Sequence, residues 1–342
     1  MHPNFLAAHP AFSAPFKLTV CVTNICDLEC AHCYSDCTKR PASTELKTDE
    51  WLGFVDELIE KKVMSVFFEG GEPLLRPDFM RILERCSRKM MIFVRTFAHH
   101  ITTDVAAEFR RLRVGVACVD ILGGKAETHD RLVGTPGNYD QCIQGIRNLV
   151  DANVDVYKLM ILNRLNAPEL QEYVDRAADL GVEKVGVLRL YPLGRAKRRW
   201  SELSLSLEEM MHTLQSVRVP AGLELMHSWH PNDGNSCYQM ATVDADGNSI
   251  GCPYLREYVN FGNIRETPFW ETWNDPLYQE LRSGAVDDSC TDCADSQGSK
   301  GGCRATAYAF TGKWDAPDPF CVNSNRGVDL RVLPDRLFLP KP

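Results

Sequence analysis

Between residues 16 and 191 short apolar runs alternate with longer amphipathic stretches. The runs at 16–22, 65–70, 90–96, 114–122, 154–162 and 182–191 are short and rich in β-branched and aromatic residues, as buried strands are. The stretches between them repeat their apolar residues with helical period. In 48–62, Trp51, Phe54, Val55, Leu58 and Ile59 fall on one face, and Thr48 is placed to cap it. Residues 77–89 open on a proline, and 103–112 and 138–153 continue the series. In 166–181, Asn166 stands as a cap with Glu169 three residues on, and Gly181 marks the stop. Six strand–helix units in succession predict an α/β fold around a parallel sheet with right-handed crossovers. Chemistry in such sheets gathers at the carboxyl ends of the strands.

The rhythm changes after residue 200. The pattern predicts a helix over 205–217 and a strand over 222–226, then a stretch from 234 to 327 rich in Gly, Asp, Asn, Pro and Cys. Within it, 236–255 reads as a hairpin with Asp246-Gly247 near its turn. So irregular a region is expected to depend on metal rather than on apolar burial. The expected organisation is an N-terminal extension (1–15), a core (16–200), a bridging region (201–233), a cysteine-rich module (234–327) and a tail (328–342).

A formal net charge of −8 disfavours phosphate-backbone binding, so nucleic acid is not expected as a partner. No apolar run is long enough to span a membrane. The first sixteen residues contain three prolines and no Lys or Arg, unlike a secretory signal, and a cytoplasmic protein is expected. Fourteen cysteines without a signal point to metal ligation rather than disulfides. Cys21, Cys86, Cys118 and Cys142 are isolated and read as small buried hydrophobes.

The stretch "CDLECAHCYSDC" (26–37) poses the main chemical question. Four thiolates would close around an iron–sulfur cluster and make an electron carrier; three would leave one iron open. Bacterial ferredoxins use C-x2-C-x2-C-x3-C-P, but here the first gap is three and Thr38 follows Cys37. Zinc is a second rival. Just after the second strand lies "EGGEP" (69–73), on the same rim as the cysteines.

Cys26, Cys30 and Cys33, spaced C-x3-C-x2-C with His32 before the third, resemble the signature of the radical S-adenosylmethionine (SAM) superfamily. The "GGEP" segment resembles that family's SAM-binding turn. The resemblance implies a partial (β/α)6 TIM barrel. It also implies a [4Fe–4S] cluster on three cysteines whose fourth iron is chelated by SAM, and reductive cleavage of SAM to a 5′-deoxyadenosyl radical. An electron donor of flavodoxin or ferredoxin type follows, and Cys37 is expected to be dispensable. For SAM it implicates Gly70, Gly71, Glu72 and Pro73, with either Glu72 or the adjacent carbonyls receiving the ammonium group. His32 joins them, as does Asp120 where relatives carry a ribose-contacting serine. Arg189, in "RLYPLGRA", pairs either with a carboxylate of SAM or substrate or with a structural partner. "RTFAHH" (95–100) replaces the family's "TNG", and His99 and His100 either line the pocket or are solvated.

Cys237, Gly247, Cys252, Cys290, Cys293, Cys303 and Cys321 resemble the SPASM extension, an auxiliary iron–sulfur module, with Ser299 where one cysteine is usual. The resemblance implies one or two auxiliary clusters. In one arrangement Cys237, Cys252 and Cys303 hold the first and Cys290, Cys293 and Cys321 the second, with Asp292, Asp295 or Ser299 as further ligands. In the shortened "twitch" arrangement one cluster sits on Cys237, Cys252, Cys290 and Cys293. The expected reaction is hydrogen-atom abstraction. The expected substrate is a carboxylated small molecule, a sugar or nucleoside acid or a tetrapyrrole, undergoing decarboxylation. Strand one is expected to begin near residue 16, so no peptide-recognition domain is expected ahead of it. Modification of a ribosomal peptide is the alternative, and a non-catalytic iron–sulfur or zinc protein the alternative of another class.

Overall fold

The computed structural model describes residues 14–40, 42, 44–228, 236–287, 290, 301–325 and 327–339. The six predicted core strands form as β1 (Lys17–Cys21), β2 (Ser65–Glu69), β3 (Met91–Thr96), β4 (Val114–Asp120), β5 (Asp155–Ile161) and β6 (Lys184–Leu188). Each pairs in parallel with its predecessor. The sheet then extends past both ends of this series. On one side β7 (Glu224–His227) joins β6, and on the other β8 (Met240–Val243) joins β1. The result is an open eight-stranded parallel sheet in the order β7-β6-β5-β4-β3-β2-β1-β8.

The crossover helices are α1 (Thr48–Glu60), α2 (Phe79–Cys86), α3 (Thr103–Arg111), α4 (Ala126–Val133), α5 (Asn138–Asp151) and α6 (Leu170–Asp179). Alternation along the strands decides what each face meets. Leu18 and Val20 of β1 join the outer core shared with Trp51, Phe54, Val55 and Leu58 of α1. Phe67, Phe93, Val116, Cys118, Tyr157, Leu159 and Leu188 form a separate cluster in the interior, with the Phe67 and Phe93 rings stacked 5.9 Å apart.

Two predicted caps resolve differently. The N-cap of α1 is Lys47 rather than Thr48, and its amide donates to the Glu50 carboxylate. Residues 167–169 form a 3-10 turn before α6, so Asn166 is not its cap. Glu169 instead accepts from the amides of Gly124 and Lys125 and from the Thr128 hydroxyl. That exchange ties the start of α6 to the loop after β4.

Beyond β6 come α7 (Gly194–Arg198), α8 (Trp200–Leu203), α9 (Leu207–Ser216), α10 (Phe269–Trp273), α11 (Pro276–Ser283) and α12 (Arg304–Thr311). The expected hairpin is only half regular: its first arm is β8, and its second returns through a single antiparallel bridge, Val243 to Ser249. Gly247 takes the left-handed turn position at φ 91°. The module also has more apolar burial than its composition suggests. Phe269, Trp273 and Tyr278 are almost fully buried, and Phe269 packs edge-on against Phe54 of α1.

Candidate active site

The first cysteine group occupies the loop after β1, and three neighbouring elements hold its backbone. Cys26 donates its amide to Thr38 O at 2.7 Å, closing the loop on itself. The carbonyls at the end of α4, of Leu132 and Val133, accept from the amides of Ala31 and Glu29. These carbonyls would otherwise lack partners at a helix C-terminus. The "THDRLVG" stretch therefore serves as a buttress to the cysteine loop. Its His129 is buried, accepting from the Leu122 amide at 3.0 Å and lying 2.9 Å from Asn138 Oδ1.

The third support comes from "PLGRA" (192–196). Gly194 stands at φ 52°, and a Cβ there would meet the Cys33 and Tyr34 carbonyls at 2.7 Å. The close approach lets the Arg195 amide donate to Cys33 O at 2.9 Å, while its guanidinium donates to the carbonyls of Cys30 and Cys37.

The "GGEP" turn packs against the same loop. The Gly71 amide donates to Thr23 O at 2.7 Å and the Glu72 amide to Ile25 O at 2.8 Å. A Cβ on Gly71 would stand 1.9 Å from Ile25 O, so only glycine allows this contact. Gly70 and Gly71 line the pocket with Cys26, Cys30, His32 and Cys33. Glu72 and Pro73 do not. The Glu72 carboxylate is fully buried and takes the Thr96 hydroxyl at 2.8 Å and the Phe97 amide at 3.1 Å, because these donors converge on it from the end of β3. It braces the turn, and the glycine backbone faces the ligand. Pro73 starts a short 3-10 turn away from the pocket.

Asp120 and Arg95 reach the pocket from β4 and β3, joined by two bonds of 2.7 and 2.8 Å. Arg95 went unnoticed in the sequence, although its alternation with Phe93 points it inward. Asp120 keeps acceptor capacity beyond this pair. His32 lines the wall with Nδ1 buried and without a hydrogen-bond partner. Burial lowers its pKa to about 4, so the ring is neutral. Arg189 also lines the pocket, but its guanidinium donates to Asp318 Oδ2 and to Ser228 O, both at 2.6 Å. His99 and His100 lie elsewhere, both against Asp27.

The donor set fits an iron–sulfur cube. Thiolates around one tetrahedral zinc would stand about 3.8 Å apart. Among the described residues the only group of three such donors within 4.8 Å of one another is Asp27, His99 and His100, so Cys26, Cys30 and Cys33 are more widely spread. Spread thiols suit separate corners of a cube. Burial raises the Cys26 thiol to about 12 and the Cys30 thiol well above its usual value, as expected where thiolate character waits on metal. Cys37 donates to Gly70 O at 3.5 Å and hydrogen-bonds the Cys33 sulfur, holding that thiol low.

On the auxiliary side Cys237, Cys252 and Cys303 line one cavity together, as the first of the two arrangements requires. Cys290 and Cys321 are buried and do not line this cavity. Cys293, with Asp292, Asp295 and Ser299, lies outside the described residues.

A parallel, open α/β sheet with a three-cysteine loop and a glycine turn on one rim defines a radical SAM enzyme. The profile of the Radical SAM superfamily matches residues 20–177, and this chain belongs to that superfamily. Within it the chain is of the SPASM type, since the profile of an iron–sulfur cluster-binding domain matches residues 237–294. A mycofactocin maturase, MftC, of Mycobacterium tuberculosis is 28% identical over 349 residues, covering 96% of this chain and 88% of its own. An AdoMet-dependent heme synthase of Methanosarcina barkeri is 27% identical over 341 residues, covering 91% and 97%. Among solved structures, Streptococcus suis SuiB bound to S-adenosylmethionine superposes with a TM-score of 0.74 at 16% identity, covering 93% of this chain and 80% of SuiB. The protein uses a [4Fe–4S] cluster, SAM and auxiliary iron–sulfur centres. No described helix is long and apolar enough to cross a membrane.

Proposed function

We propose that the chain modifies a substrate held inside the barrel, between the SAM pocket and the auxiliary cysteines, and that this substrate is a peptide segment. The carrying observation is that the two cavities adjoin. They share Glu69, Arg95, Tyr191 and Tyr254, and the lower one ends on Cys237, Cys252 and Cys303. Cys26, Cys30 and Cys33 would hold the SAM-cleaving cluster, and the Gly70 and Gly71 backbone with Asp120 would orient SAM. The bound cofactors supply a 5′-deoxyadenosyl radical and an electron sink. The chain aligns the target C–H bond and keeps water out. A small ferredoxin or flavodoxin is the proposed electron donor.

The peptide reading draws support from a relative named as a maturase and from SuiB, which has been solved with its precursor peptide SuiA. A second reading, decarboxylation of a small carboxylated molecule, is favoured by the heme synthase relative and by a lysine in the lower cavity. Anaerobic incubation with SAM, reductant and the short peptides or acids encoded or made by neighbouring genes separates the two. A peptide mass shift supports the first reading. Release of CO2 from an acid, with no peptide changed, replaces it with the second.

A further inference from the structure

Among the described residues four cationic side chains stand in or beside the two cavities: Arg95, Arg256, Lys17, and Arg189, which Asp318 claims. Two anionic ones, Asp120 and Glu69, stand with them. Arg95 is claimed by Asp120 through its two bonds. Arg256 lies 5.0 Å from the Tyr34 ring centre, donates to Cys21 Sγ and feels the charge of Glu69. Glu69 itself accepts from the Tyr34 hydroxyl at 2.7 Å and from Cys21. Lys17 is left over. Its side chain lines the lower cavity, and among the described residues its ammonium makes no hydrogen bond or ion pair. The one close contact is the Phe67 ring, 4.0 Å from Nζ to its centre.

Lys17 is half-buried on the cavity wall with no described group bonded to its ammonium, and burial pushes its pKa down against the raising effect of Glu69 further along the same cavity. Many residues would fill this inward position of β1 more cheaply. Thr19 and Cys21, the next inward positions on the same strand, are uncharged or neutral. The surroundings indicate what would satisfy the ammonium. Phe67, Phe93 and Leu159 make the neighbouring wall apolar. A single positive charge beside an apolar wall matches one singly charged group on a hydrocarbon frame.

We infer that Lys17 is the recognition group for a substrate carboxylate, which it anchors in the lower cavity so that the attached carbon skeleton rises past Phe67 and Phe93 toward the SAM pocket. This rests on the reading that substrate occupies the barrel interior. It adds the chemistry by which substrate is chosen there. The carboxylate has two sources, a small organic acid or the free C-terminus of a peptide, and the recognition chemistry is the same for both. Glu69 acts on Lys17 electrostatically, and Cys118 and Cys252 do so after it, so Glu69 and an auxiliary centre are the competing counter-charges, and the test is built to tell them from a substrate carboxylate.

The test uses the full chain, reconstituted with iron and sulfide and loaded with SAM, and reads binding by equilibrium dialysis without reductant. Two probe pairs are compared: D-glucuronate against D-glucuronamide, and acetyl-Ala-Ala-Phe with a free against an amidated C-terminus. In wild type at least one acid is expected to bind tenfold or more tightly than its amide, and the preferred pair identifies the source. Lys17→Met is expected to abolish that preference, and Lys17→Arg to restore part of it. If Lys17→Met folds poorly, Lys17→Gln carries the same comparison. 5′-deoxyadenosine formation by the wild-type protein, without added substrate, is assayed separately. That separate assay, not the dialysis, is the one that judges the radical SAM reading. Equal binding of both acids and their amides to wild type overturns the inference. So does a preference that survives Lys17→Met, including the case where the variant alters only the auxiliary-cluster electron paramagnetic resonance (EPR) spectrum.

Discussion

Arg195 fixes more of the cysteine loop than any other side chain, since its amide and guanidinium together reach the carbonyls of Cys30, Cys33 and Cys37. Arg189, six residues earlier, shares the pocket wall but spends its charge on Asp318. Both arginines belong to the string "RLYPLGRA", but the sequence drew attention to Arg189 alone, because Arg195 acts through backbone carbonyls that carry no residue signature. Cys26, Cys30 and Cys33, proposed as the cluster ligands, and the Gly70-Gly71 turn were singled out by their resemblance to a family signature together with their place after strands. The inward turn of Glu72 was not, because its donors Thr96 and Phe97 come from another strand. Arg195→Met should cost about 1–3 kcal/mol through orphaned carbonyls. It should also speed loss of visible cluster absorbance to a chelator several-fold, measured against wild type at equal iron loading. Unchanged loss would remove Arg195 from this role.

Among the elements, β6 and α12 are joined by a buried strut. Asp318 accepts from Arg189 at 2.6 Å, from the Cys303 amide at 2.9 Å and from the Thr306 hydroxyl at 2.7 Å. Although burial pushes its pKa upward, these donors and the Arg189 charge hold it below the usual carboxylate range. Removing one partner of a buried pair typically costs about 3–5 kcal/mol. Asp318→Asn is therefore expected to lower iron per chain by loosening Cys303, while 5′-deoxyadenosine formation persists. A full iron content would count against the strut.

On β5, Lys158 is enclosed and donates to Tyr173 O of α6 at 2.7 Å, and burial lowers its pKa to about 7. The unfolded lysine titrates near 10.4. Between these values the unfolded chain binds the extra proton, so stability rises as pH climbs from about 7 to about 10. Lys158→Met should flatten that rise and raise stability at neutral pH by an amount on the order of a few kcal/mol. Denaturant titrations across the same pH range check both. The strands and their helices were readable because parallel strands between helices are continuous apolar runs. The helical nature of 126–133 and the pairing of β8 with β1 were not. The first hid inside a motif, and the second joins residues more than two hundred apart in the chain.

For the whole molecule, two adjoining cavities lie between the loop of Cys26, Cys30 and Cys33 and the side chains of Cys237, Cys252 and Cys303. That convergence was half legible. A parallel sheet brings every strand's carboxyl end to one rim, so the upper site followed from order alone. The lower site needed β8, which carries the auxiliary module onto the edge of β1 and turns its cysteines toward the interior. Substrate identity was not legible because the residues that face it, Lys17 and Phe67 among them, look from sequence like ordinary strand positions.

The central claim is that three of the four clustered cysteines hold the cube and the fourth iron is kept for SAM. EPR of the dithionite-reduced protein, with and without SAM, tests it most directly, on wild type, Cys37→Ala and Cys30→Ala in parallel. SAM should alter the reduced-cluster signal and yield 5′-deoxyadenosine in wild type and in Cys37→Ala, and do neither in Cys30→Ala. A Cys37→Ala protein that no longer responds to SAM, or a Cys30→Ala protein that still does, would contradict the account.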